Sequence, residues 1–490
     1  MIKKIAVGVV LLGLIVAFAY GLRSKRTVTT HSGEAYGEYC IGVNLQNKFY
    51  FEEAFVHFEK AVELDTSFAM AYCRQGLIHW GFGRIEEARK ALAKAVELAP
   101  QKTEKEQLII AFHHAHTNRE YDKAEEMIQK LALRYPQAIE PYDYRGDEFF
   151  RKREYEKGIK EYKRLIEIDP NYALAYNQLG YAYAFLGNFD EAVNNLKKYV
   201  FLAPDQPNPH DSLGEIYLLM GRYDEAITMF NKARRLKSDF AFAINHLGSA
   251  YRQKGMYRKA VKYFEKSLAL CTDQWCKVDK LIEIARIHYE KGDNDSSLAI
   301  LEQITAQGPQ LFIVKWLKGL NYIDQGKIEE AILQKEQMEE LLASESTQEG
   351  IDERRTQIDR EWLMKYFLHL SGKIELGRNM YDKAIENFYT IFSFTLRTEE
   401  DIFFRTALAE ALYKGGELEK AIAELKNVFK INPNYAPSRY VSSRIFEELG
   451  DFQKASTEME KYLFILDGCD EEFSKVEEIR KRLNSIKEST

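Results

Sequence analysis

Cysteine is nearly missing from this chain: five residues in 490, at Cys40, Cys73, Cys271, Cys276 and Cys469. So odd and sparse a set excludes a disulfide framework. Cys271 and Cys276, in "LCTDQWCK", stand close enough to bridge or to form half a metal site. No second pair lies nearby, so the expectation is buried or incidental thiols. Proline (10) and glycine (28) are scarce as well, against 30 tyrosines and 29 phenylalanines, which suits packed helices better than a sandwich of short strands. An excess of positive charge is also lacking. The net charge is −6, so no strongly basic face is implied and nucleic acid is a poor partner class. What is present, 46% hydrophobic and 29% charged residues, belongs to folded chains rather than disordered ones.

Long apolar runs are confined to the start. "MIKKIAVGVVLLGLIVAFAYGLRSKR" carries an uncharged stretch from Ile5 to Leu22, bracketed by Lys3 and Lys4 before it and by Arg23, Lys25 and Arg26 after it. As a helix this stretch reaches roughly 27 Å, about the thickness of the hydrocarbon core. The expectation is an uncleaved signal anchor over residues 1–26; the rival is cleavage after "AFA" (Ala17–Ala19). The short charged tail favours an array outside the cytoplasm, while the Arg-Ser-Lys-Arg cluster argues the other way. Residues 27–35 are small and polar and read as a linker.

Beyond the start, one phrase recurs. Gly-Asn-Phe-Asp-Glu-Ala (187–192) is answered by Gly-Arg-Tyr-Asp-Glu-Ala (221–226) and Gly-Met-Tyr-Arg-Lys-Ala (255–260). Small anchoring residues fall at Ala54, Ala88, Ala124, Gly158, Ala192, Ala226 and Ala260, spaced by 34, 36, 34, 34, 34 and 34, and continue at Ser297, Ala331, Ala384, Ala421 and Ala455. A fixed period of this length means a repeat array, here of about twelve units. Within one unit, Tyr176, Leu179, Gly180 and Tyr183 share a helix face. Gly187 breaks that helix, "NFD" starts a second, and Ala192, Leu196 and Tyr199 form its apolar stripe before Pro204. Such a helix–turn–helix buries its apolar face only by stacking on neighbours.

These motifs resemble the tetratricopeptide repeat (TPR) family. Its pattern is carried by Leu213, Gly214, Tyr217, Ala226, Phe230 and Ala233, and again by Leu247, Gly248, Tyr251, Ala260 and Phe264, with coverage from Tyr36 to Asp467. Phe112, Ala285 and Ser443 depart from the glycine position. The resemblance implies an all-α fold, an α-solenoid wound into a right-handed superhelix, here preceded by one N-terminal transmembrane helix. The expected organisation is an array of about nine units over 36–343, a polar insert at 344–360 where the spacing grows to 53, a second block of about three units over 361–467, and a capping helix over 468–490. The insert "SESTQEGIDERRTQIDR" is expected to be a loop or an extended helix, and the point where the two blocks part.

No phosphate loop, G-x-S-x-G elbow, H-E-x-x-H or kinase signature occurs, so the chain is read as no enzyme, with no catalytic residue, metal or cofactor. His113 and His116, in "FHHAHTN", share a helix face as two metal ligands do, with Asp143 or Asp147 as a conceivable third; the plainer reading makes them aromatic packing. Trp80, Trp275, Trp316 and Trp362 bear no spacing relation and receive no role. A row of polar residues is more telling. Asp143, Asn177, Asp211 and Asn245 recur every 34 residues, with Asp147, Tyr181, Glu215 and Ser249 four residues on. The resemblance puts both rows on the concave face, where such groups bind the backbone of an extended peptide. Their acidic bias implies a neutral to basic ligand. Chaperone-binding members clamp a carboxylate from places held here by Tyr39, Val43, Arg74, Glu106 and Ile110, which cannot make that clamp. The expectation is therefore a membrane-anchored, non-catalytic adaptor for partner proteins or extended peptides, binding no nucleic acid and no small-molecule substrate. The alternatives are a mitochondrial-import-type receptor and a regulatory subunit of a cell-envelope assembly enzyme.

Overall fold

The structure, a computed structural model, describes residues 27–345, 353–394, 398–470 and 474–489. Among the described residues all regular structure is helical. The expected membrane segment, residues 1–26, lies outside the described residues; within them no helix is long and apolar enough to cross a membrane. The chain divides into two compact units, Met1–Pro170 and Asn171–Thr490. The expected division at 344–360 falls inside the second unit.

The first unit contains four helical hairpins, from Gly33–Asn47 paired with Phe51–Leu64 to Glu140–Arg151 paired with Tyr155–Ile168. The second contains eight, from Ala173–Phe185 with Phe189–Leu202 to Ala436–Glu448 with Phe452–Ile465, followed by the helix Ser474–Ser489. The pairing follows from side-chain size. In the hairpin Pro207–Leu219 with Tyr223–Leu236, Phe230 is wholly buried. A Cβ on Gly214 would stand 2.6 Å from its ring, so only glycine lets the two helices close on that ring. Burying such a side chain contributes about 2–3 kcal/mol, which a hairpin alone cannot collect. The anchoring residues Ala54, Ala88, Ala192, Ala226, Ala260, Ser297, Ala331, Ala384, Ala421 and Ala455 are all fully buried between helices.

Each of the twelve described hairpins turns through one residue in the left-handed region. Eight are glycine, as at Gly187 (φ 75°), and the others are Phe49, Arg119, Arg153 and Asn379. That conformation costs a side-chain-bearing residue about 1–2 kcal/mol, which explains the glycine of the repeated phrase. Where the helix-face glycine is replaced, the hairpin still forms. Phe112 instead stacks on Tyr144, centroids 4.8 Å apart, and Ala285 and Ser443 are wholly buried.

Two expected segments look different in the structure. The linker over 27–35 is docked rather than slack. Thr29 donates its N–H (2.7 Å) and hydroxyl (2.6 Å) to Glu106, while Thr30 Oγ1 (2.5 Å) and the His31 N–H (2.8 Å) reach Asp65. Around the polar insert, Ile328–Glu345 and Glu353–Gly377 are helices of 18 and 25 residues, and 346–352 lie outside the described residues. Inner helices in this region are lengthened: Gln274–Lys291 has 18 residues and Gly308–Asp324 has 17, against 13 in Ala241–Gln253.

The second unit also closes on itself. Tyr223 Oη donates to the Asn434 carbonyl (3.0 Å), Asn432 Nδ2 donates to Tyr223 Oη (3.3 Å), and Asn434 Nδ2 donates to the Gly221 carbonyl (3.1 Å). Further along the seam, the Asp470 N–H donates to the Gly255 carbonyl (3.1 Å) and the Arg258 N–H to Asp470 Oδ2 (2.8 Å). Beneath these bonds Tyr257, Ala260 and Phe264 share one buried cluster with Met459, Tyr462, Ile465 and Ile479. The backbone groups of both turns are thereby satisfied over an apolar seal. The inner helices enclose what remains at the centre.

Candidate peptide-binding cavity

That centre is a cavity of 1440 Å³ in the second unit. Three of the anticipated residues line it, Tyr181, Glu215 and Ser249, together with His246. Tyr181 Oη donates to Glu215 Oε2 across 2.7 Å, so these two rungs brace each other. The row one helical turn earlier lies outside the lining. Asn177 and Asp211 are buried and Asn245 is half-buried. Asn177 Oδ1 and Asn245 Oδ1 are buried acceptors with no hydrogen-bond partner, while Asp211 Oδ1 contacts His246 Nδ1 at 3.0 Å. Asp143 and Asp147 belong to the first unit, on the helix Glu140–Arg151, where Asp147 accepts from Tyr162 Oη at 2.8 Å.

The acidic bias expected of this surface is largely compensated. The lining holds eight carboxylates, among them Glu215, Asp279 and Glu283, against six lysines and arginines plus His246. Burial would favour neutral imidazole at His246, but Asp211, by charge and hydrogen bond, and Glu215 outweigh it and raise its pKa to about 9. Arg252 meets Glu290 at 2.5 Å, and Glu410 takes Lys373 at 2.7 Å and Lys414 at 3.0 Å. Burial resists ionisation of Glu410, yet the two lysines hold it well below the usual carboxylate range. Glu400, also in the lining, pairs with the buried Lys365 at 2.6 Å. The result is a polar surface on which several charges are paired with one another.

Helical hairpins at one period, stacked through buried small residues, agree with the sequence comparisons. Tetratricopeptide repeat family models match residues 205–273, 146–187, and both 69–102 and 173–206. The chain is a tetratricopeptide repeat protein. An anaphase-promoting complex subunit 5 family model also matches residues 366–433. Among curated protein sequences none matches. Similar solved structures include two of MamA: one is 26% identical, covering 34% of this chain and 91% of that one (TM-score 0.29), the other 25%, covering 32% and 90% (TM-score 0.28). Another is the human IFIT1 dimer with m7Gppp-AAAA, 14% identical over 82% of this chain and 91% of that one (TM-score 0.45). The family makes this TPR protein an interaction scaffold.

Several residues of the TPR protein look different in three dimensions. Three tryptophans given no role, Trp275, Trp316 and Trp362, all line the cavity. Trp316 Nε1 donates to His369 Nδ1 (3.2 Å), and its ring meets Tyr366 edge-on at 5.1 Å. The clue in the sequence is local, because Trp362 and Tyr366 stand four apart on a lengthened helix. Cys271 and Cys276, expected as buried or incidental thiols, form a disulfide. The spacing permitted it, and the turn before Gln274–Lys291 brings their Cα atoms to 5.5 Å. His113 and His116 act as aromatic rings. His113 lies 4.8 Å from both Phe112 and Tyr144, and burial with Arg74 nearby lowers its pKa to about 3. Burial and Arg151 lower His116 to about 4, where its ring meets Trp80 at 5.7 Å. Among the described residues no group of three His, Cys, Asp or Glu is arranged to hold a metal. In the first unit Glu106 is turned to Thr29 and Thr103, and Arg74 to Tyr39 and Gln46, each at 3.5 Å.

Proposed function

We propose that this TPR protein is a non-catalytic adaptor that holds an extended, neutral to basic segment of a partner protein in the cavity of its second unit. The observation carrying this reading is the cavity itself. At 1440 Å³ it exceeds the roughly 300–1,000 Å³ typical of small-molecule pockets, and its wall offers hydroxyl and carboxylate groups at the repeat spacing, from Tyr181, Glu215 and Ser249. Asn177 Oδ1 and Asn245 Oδ1 add buried acceptors one turn away. Affinity would be the sum of modest contacts over several repeats. Asp143 and Asp147 are retained as a second, separate contact surface on the first unit.

Attachment to a membrane through residues 1–26 belongs to the same reading and rests on the apolar run Ile5–Leu22. The Cys271–Cys276 disulfide favours an array in an oxidising, extracytoplasmic setting, and so counts against an import receptor facing the cytosol. The test is crosslinking and affinity capture from native membranes, comparing the intact chain with a Tyr181→Ala/Glu215→Gln/Ser249→Arg variant. Loss of the captured partners by the variant supports the reading, and an unchanged set overturns it. Protease access to a C-terminal tag in intact cells decides the orientation.

A further inference from the structure

Trp275 is one of three cavity tryptophans that the repeat pattern does not explain. It occupies the first turn of the helix Gln274–Lys291 and is 58% exposed. Three features fix that turn. The Cys271–Cys276 disulfide closes the short loop containing it, Asp273 Oδ1 accepts from the Cys276 N–H at 2.8 Å, and Gln310 Nε2 donates to the Trp275 carbonyl at 2.8 Å. A large aromatic ring held rigidly in the open is a poor use of apolar surface unless something covers it.

The residues beside it indicate what does. Asp279 and Glu283 follow at four and eight positions, so they continue the same helix face, and all three line the cavity. Asp279 is half exposed, and its ion-pair partner is the adjacent Lys280 (2.7 Å). The Asp279 carboxylate thus keeps one side open to solvent, although the Lys280 side chain is largely buried. Glu283 faces Arg286 at 3.3 Å; burial opposes its ionisation, but Arg286, Arg252 and Lys280 keep its pKa lowered. Arg286 is itself engaged over the ring of Trp316, 5.5 Å from its centroid. An indole face followed by two carboxylates complements a long cationic side chain, its stem over the ring and its head at the acids.

We infer that Trp275, Asp279 and Glu283 form a subsite for a lysine or arginine side chain of the partner segment. The inference rests on the reading of the cavity as the partner site and names one chemical feature of what enters it. The disulfide serves as the staple that presents the indole.

The experiment titrates the full chain with N-acetylated hexa-arginine, hexaglutamate and hexaserine peptides, by calorimetry and tryptophan fluorescence. Hexa-arginine is expected to bind and quench. Trp275→Ala should weaken it about ten-fold and Asp279→Asn about five-fold, with Trp275→Phe retaining most of the affinity. Opening the staple in a Cys271→Ser/Cys276→Ser variant should weaken it in the same direction. Equal hexa-arginine affinity across wild type, Trp275→Ala and Asp279→Asn overturns the subsite, and so does hexaglutamate binding as tightly as hexa-arginine. If partner capture survives Trp275→Ala but is lost in the Tyr181/Glu215/Ser249 variant, the subsite fails and the cavity reading stands. If neither variant alters capture, the cavity reading falls as well.

Discussion

Alkaline pH should weaken the second unit at one identifiable joint, the contact of His246 with Asp211. The imidazole is held in its protonated form to about 9, against an ordinary value of 6.5. The folded chain therefore binds more protons here than the unfolded chain between those two values, and stability falls as pH rises through that window. The contribution is complete below pH 6.5 and gone above about 9. A gap of roughly 2.5 units corresponds to about 3 kcal/mol, large against the 5–15 kcal/mol typical of a folded domain. Asp211 and Glu215 raise the value and Lys280 opposes them, so no other packed charge has to be invoked. The direct assay is the NMR titration of the His246 ring, with an inflection expected near pH 9. The energetic assay is hydrogen exchange in the helices Pro207–Leu219 and Ala241–Gln253, for wild type and His246→Gln at pH 6 and 9.5. The difference between the two proteins should shrink by about 3 kcal/mol over that range. An inflection at or below 6.5, or a difference that stays flat, refutes the reasoning.

Three other outcomes follow from the packing. Gly187→Ala, at φ 75° with nothing near the added carbon, should cost about 1 kcal/mol in urea unfolding, whereas Gly214→Ala, whose Cβ meets Phe230, should cost more, about 2–3 kcal/mol; equal costs would contradict the ring-clearance argument. Lys365→Met breaks the buried 2.6 Å pair with Glu400 and should cost about 3–5 kcal/mol, with Lys365→Met/Glu400→Leu recovering most of it in a double-mutant cycle. Gly221→Ala drives a methyl into the Asn432 side chain, so exchange should quicken at both 221–223 and 432–434, two stretches far apart in sequence. Faster exchange at only one of them would show that the seam is no joint.

The hairpins were legible because their rules are local. A buried small residue every 34 positions and a left-handed turn residue declare the helix pair without reference to the rest of the chain. The docked linker was not legible, because Thr30 meets Asp65 at the end of the first hairpin while Thr29 meets Glu106 on the third, a contact made only once the hairpins have stacked. The same holds for the seam. Nothing in the neighbourhood of Tyr223 announces Asn432 and Asn434, some two hundred residues later. The polar rows were half legible: their period was plain, but which of them faces the cavity depends on how the second unit curves. That curvature turned Tyr181, Glu215 and Ser249 inward and set Asp211 against His246. The tryptophans were missed because they lie on the lengthened helices, where the repeat pattern is weakest.

The closed seam also bears on how quickly a guest comes and goes. Gly221, Tyr223, Asn432 and Asn434 bond across the turn and hold the second unit shut at that point. A guest chain held in the cavity as proposed would have to pass that seam end-first unless those bonds part. Residence time would depend on how bulky the guest's terminus is as much as on how well its middle fits, and a tight-binding sequence buried within a larger folded body would be refused entry.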